Sequence, residues 1–72
     1  MEVFYFTFHN THMYANYVQQ VIAKDWSQAK EKMNWEYQNK WKKIFTENEY
    51  KRQLSNGCYQ DLKPLPPLYA YE

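Results

Sequence analysis

The clearest periodicity in the chain lies at its start. From Val3 to Phe8 (VFYFTF) side chains alternate, with Phe4, Phe6 and Phe8 on one side and Val3, Tyr5 and Thr7 on the other. β-Branched and aromatic residues in period two predict a strand. His9-Asn10-Thr11-His12 is polar and predicts a loop of about four residues, without the Asn-Gly signature of a tight hairpin. Tyr14 to Ala23 (YANYVQQVIA) predicts a second strand. Tyr17, Gln19, Val21 and Ala23 share one side of it, and Val18 and Ile22 the other. Apolar groups on both sides leave two readings open, a central strand or a bulge that shifts register midway.

The period then changes to that of a helix. Asp25 followed by Gln28 reads as an N-cap with its capping box. Trp26, Ala29, Met33 and Tyr37 recur at helical spacing and predict one packing stripe on a helix from Trp26 to about Gln38. Trp35 falls off that stripe, among Gln28, Glu31 and Lys32. Asn39 suits the left-handed position that closes a helix. Trp41 to Phe45 (WKKIF) predicts a third strand, with Trp41, Lys43 and Phe45 on one side and Lys42 and Ile44 on the other. Thr46 and Glu49 form a second capping box. The short helix they open, about Glu47 to Leu54, buries Tyr50 and Leu54. Asn56-Gly57 predicts a turn. Leu62 to Pro67 is expected to be extended, because its three prolines exclude a helix or a central strand.

These elements predict an α+β fold: a three-stranded antiparallel sheet with one main helix on one face, in β-β-α-β order. A short second helix and an extended Pro-rich C-terminal tail follow. Seventy-two residues make a single domain. Residues 1–54 form its folded body, and 55–72 the turn and tail. Cys58 is the sole cysteine, so no intramolecular disulfide forms, and a lone thiol fits a reducing compartment. Aromatic rings take the place of such a staple. Eight Tyr, four Phe and three Trp make 21% of the chain. So small a core cannot enclose all of them, and the surplus is expected to line a surface.

Charge narrows the partners. Nine Lys and Arg against eight Asp and Glu leave a net charge of +1, which favours neither a DNA mimic nor a strongly basic nucleic-acid binder. No apolar run approaches the roughly 20 residues of a membrane span. Met1-Glu2-Val3 lacks the basic start of a signal peptide, so the expected location is cytoplasmic.

Catalytic chemistry finds little support. His9 and His12 are spaced H-x-x-H in a turn, and Cys58 is remote from them, which matches neither a standard metal set nor a local nucleophile motif. Gly57 is the sole glycine, so there is no Gly-rich phosphate loop. Glu31, Glu36, Glu47 and Glu49 are helix-surface or cap carboxylates. The expectation is a protein that is not an enzyme, with no catalytic residues, metal or cofactor.

Two surfaces remain. Lys40, Lys42 and Lys43 bracket Trp41, a pattern that can stack bases and neutralise phosphates. The plainer reading makes Trp41 core and the lysines blockers of edge pairing. For protein binding the candidates are Tyr5 and Tyr14, on a sheet face left open by a single helix, and Trp35 on the helix itself. Against that stands a second helix and tail folded back over the open face. Lys63-Pro64-Leu65-Pro66-Pro67-Leu68 resembles an SH3 ligand. The alternative is a tail pinned to the body by Tyr69 and Tyr71.

The segments FYFTFHNTH, NYVQQVIAKDWSQAKEKM, NKWKKIFTENEY and YQDLKPL span most of the chain. Together they resemble a loose class of small proteins encoded by phages and other mobile elements. The chain departs from that pattern at Lys43, where an apolar residue is expected, and in the Pro-rich tail. The resemblance implies the fold and a viral or prophage origin. By analogy of lifestyle it implies an anti-defence role, such as that of anti-CRISPR proteins, exerted by stoichiometric binding to a host protein. The expected function is therefore a non-enzymatic inhibitor of a host defence protein, with a CRISPR effector as one such target. A single-stranded nucleic-acid module and a structural homodimer are the alternatives.

Overall fold

The computed structural model describes residues 1–70. Its elements are β1 (Glu2–Phe8), β2 (Tyr17–Ala23), α1 (Trp26–Tyr37), β3 (Trp41–Thr46), α2 (Glu47–Ser55), β4 (Lys63–Pro64) and β5 (Leu68–Tyr69). The α+β class and the order of the first five elements agree with the sequence reading. The sheet does not stop at three strands. It is mixed, in the order β3-β1-β2-β4, with β5 also pairing β2.

β1 is the centre of the antiparallel part, paired with β2 from Glu2↔Ala23 to Thr7↔Val18 in unbroken register. That register decides between the two readings of the second strand. β2 carries no bulge against β1 and is central, because the tail lies along its other edge. There β4 and β5 run parallel to β2, with Tyr17 opposite Lys63 and Val21 opposite Leu68. The amides of Lys63, Leu65 and Ala70 donate to the carbonyls of Asn16, Val18 and Ile22. Proline suits this position, since an outermost strand need not donate outward. β2 begins later than expected. Tyr14–Asn16 belong to consecutive tight turns, in which the amides of His12, Ala15 and Tyr17 bond to the carbonyls of His9, His12 and Tyr14.

One face of the sheet packs on α1. Phe4, Phe6, Phe8, Val21 and Ala23 form the core there with Ala29 and Met33 of the helix. Asp25 caps α1 by accepting the Gln28 amide at 2.9 Å. The return bond differs from a capping box, since Gln28 Oε1 accepts from the Lys24 amide rather than from the cap itself. α1 ends one residue earlier than expected, and Gln38, not Asn39, takes the positive φ of 58°. Trp26 leaves the predicted stripe. Its ring is exposed beneath the Lys30 ammonium, 5.4 Å from the ring centroid.

The other face packs on α2, which contacts β1 and β3. Thr46 and Glu49 form the full capping box that the sequence predicts. At the far end the Gly57 amide bonds to Leu54 and the Cys58 amide to Gln53, with Gly57 at φ 84°. This is a Schellman closure, and it needs the glycine because φ is positive there.

β3 departs from simple alternation. Register against β1 runs Phe6↔Ile44, Thr7↔Lys43 and then Phe8↔Trp41, so Lys42 is the extra residue of a bulge. The bulge turns Trp41 onto the Ile44 side. Both then pack on the α1-side core, while Phe45 packs on the α2 side. The expected grouping of Trp41 with Lys43 and Phe45 is thereby corrected.

Candidate binding surface

The rings fall into two interior clusters. On the α2 side Tyr5 stacks on Tyr50 with centroids 4.4 Å apart, and Tyr59 and Phe45 complete the group. Thr7 and Val18, on the same face, are buried. The face expected to stay open is therefore covered, and α2 covers it. Burial, followed by the charge of Glu47, raises the phenol pKa of Tyr5. Burial, followed by Tyr5 and Tyr59, raises that of Tyr50. Each phenol is held in its neutral form.

On the α1 side Phe8, His12, Tyr14 and Tyr37 meet at one end of the sheet. Tyr37 donates its hydroxyl to Gln19 Oε1 at 2.7 Å, and Gln19 Nε2 donates to the Pro66 carbonyl at 2.8 Å. Gln19 is buried, so both ends of its amide require partners. Through it one polar side chain joins α1, β2 and the tail. Burial, then Tyr14 and Glu36, raises the Tyr37 pKa.

Of the three protein-binding candidates, Tyr5 and Tyr14 are half-buried in these clusters. Trp35 is different. It is 82% exposed on the outer side of α1 and stacks on no other ring among the described residues. Its neighbours on that side are polar, and the Lys32–Glu36 ion pair, 3.2 Å, lies along the same helix.

The four nucleic-acid candidates do not share one surface. Trp41 is half-buried, edge-on to Phe6 at 5.0 Å, and its indole N–H donates to Asn34 Oδ1 at 2.8 Å. Lys40 lies before the strand, Lys42 in the bulge, and Lys43 opposite Thr7 towards the other face.

The Pro-rich tail is part of the sheet. Leu65, Leu68 and Ala70 pack against the core, and Tyr69 pairs with Ile22 of β2. Tyr69 is largely exposed, and Tyr71 lies outside the described residues. Among the described residues, the exposed hydrophobic groups Met1, Met13, Trp26 and Tyr69 escaped the sequence reading. Met13, between His12 and Tyr14 in the turns, was legible as an apolar residue without a periodic partner.

His9 and His12 line an open cleft of about 500 Å³ with Thr11, Met13, Asn39 and Lys40. Cys58 is exposed and far along the chain from them. Among the described residues no three His, Cys, Asp or Glu side chains are grouped to hold a metal. No helix among them is long and apolar enough to cross a membrane. No family model, curated protein or solved structure matches this chain.

Proposed function

We propose that this domain is a non-enzymatic binding protein that docks a protein partner on the outer side of α1, with Trp35 as its anchor. The observation that carries the reading is the exposure of Trp35 in a molecule whose other large rings are mostly drawn into the two clusters. A large, stiff, amphipathic ring held on a regular helix is a typical interface anchor. The resemblance to small phage and mobile-element proteins extends the proposal to the partner. It is a host defence protein, with a CRISPR effector as one example, inhibited by stoichiometric binding in the host cytoplasm.

The test is affinity capture from a bacterial host lysate on wild-type domain and on Trp35→Ala in parallel. One stoichiometric host protein retained by the first and lost by the second is expected. No stoichiometric partner, or equal retention, refutes the reading. The nucleic-acid alternative loses support because the Trp41 ring is turned inward, away from bases it would have to stack. The homodimer retains one specific observation, an outer edge of β3 that no strand among the described residues pairs. A monomeric mass at micromolar concentration eliminates it.

A further inference from the structure

The cleft between the β1–β2 connection and the end of α1 has an unusual lining. His9, Thr11, His12, Asn39 and Lys40 all offer hydrogen-bond donors, Met13 adds an apolar wall, and none of the six is a carboxylate. His12 is held in place from behind. Its Nδ1 accepts the Tyr14 amide at 3.0 Å, and its ring stacks on Phe8 at 4.7 Å. That bond leaves the proton on Nε2, the ring nitrogen not tied to the backbone, so His12 is a fixed donor. Lys40 follows the last turn of α1, with its own amide bonded to the Tyr37 carbonyl.

We propose that this cleft receives a carboxylate-rich segment of a protein partner. The inference deepens the reading of Trp35, which lies in the last turn of α1, the end of the helix that borders the cleft. Complementarity selects the occupant: one lysine charge and the N–H groups of two imidazoles line the cleft, and no acidic side chain is among its lining residues. A nucleic-acid strand fits less well, because neither Lys42 nor Lys43 lines the cleft, which leaves one lysine to meet successive phosphates. The plainer role for Lys40 is to complement the carbonyl end of α1. That role needs no ligand and predicts no binding.

The experiment uses capped hexaglutamate as probe against the full chain, followed by amide chemical shifts at low salt. Hexaglutamine, inorganic phosphate and an oligothymidylate form the comparison arms. Saturable shifts confined to His9–Met13 and Asn39–Lys40, produced by hexaglutamate and not by hexaglutamine, are expected. Lys40→Glu should weaken binding by about tenfold or more, since it replaces an attractive charge with a repulsive one. Lys24→Glu, at the opposite end of the sheet, should leave it unchanged. Lys40 is exposed, so its variant keeps the fold, and the same spectra report that. Shifts scattered over all lysines, or an affinity indifferent to Lys40→Glu, overturn the proposal. Equal or tighter binding of phosphate or oligothymidylate at the same residues also overturns it. Trp35→Ala separates the two readings, because it should abolish partner capture and still bind hexaglutamate.

Discussion

The two helices lie on opposite faces of one sheet and use their aromatic residues in opposite ways. α2 has nine residues and one ring, Tyr50, which is 6% exposed and stacked on Tyr5. α1 has twelve residues and three rings, of which only Tyr37 joins the core beside Ala29 and Met33, while Trp35 stays 82% exposed and Trp26 about half so. The comparison separates rings required for folding from rings that are surplus to it. High aromatic content alone marks a core built from rings. A tryptophan that the core never recruits is the feature on which the proposed docking rests.

Tyr50→Ala should break the α2 side. Removing a buried aromatic commonly costs about 3–5 kcal/mol, a large share of the stability of so small a domain. Urea unfolding reads this, and a loss below about 1 kcal/mol would mean that α2 does not close that face. The buried phenols of both clusters set an alkaline limit. The Tyr5, Tyr37 and Tyr50 pKa values are raised in the fold from the ordinary value of 10.0. Their contribution is therefore full below that pH and is lost as pH rises through the folded values. Stability measured across this range should fall on the alkaline side, and a flat profile would contradict the burial of these phenols.

Gln19→Ala should come next, at about 2 kcal/mol, because it leaves the Tyr37 hydroxyl and the Pro66 carbonyl without their bonds. Amide exchange should quicken first at Leu65 and Ala70, whose bonds tie the tail to β2. If exchange instead rose uniformly, the tail would be no separate unit. Thr46→Ala removes the α2 cap and should cost about 1 kcal/mol in urea unfolding. Trp35→Ala should change stability by no more than about 0.5 kcal/mol, as for other exposed positions.

The comparison between helices was partly legible in the chain. The alternation of Phe4, Phe6 and Phe8 and the Thr46–Glu49 capping box are local patterns that formed as read, and the helical stripe formed at Ala29, Met33 and Tyr37 but not at its first member, Trp26. Trp35 could be placed among polar neighbours from helical geometry alone. What failed required knowledge of distant pairing. Trp41 changes side only because a bulge at Lys42 sets β3 against Phe8. The tail joins the sheet because β2 offers an edge and Gln19 meets Pro66, whereas prolines by themselves argue against a strand. Tyr5 was assigned to an open face because the length of α2 does not say which face it will cover. The cleft at His9, His12 and Lys40 unites segments far apart in sequence, and no spacing rule anticipates it.

The central claim is that Trp35 is surplus to the fold and essential to binding. Its most direct measurement is the affinity of the captured host protein for wild-type and Trp35→Ala domains by calorimetry, with both shown folded by their urea midpoints. The account predicts a loss of about tenfold or more, equivalent to at least about 1.4 kcal/mol, at unchanged stability. Equal affinity for the two domains would contradict it.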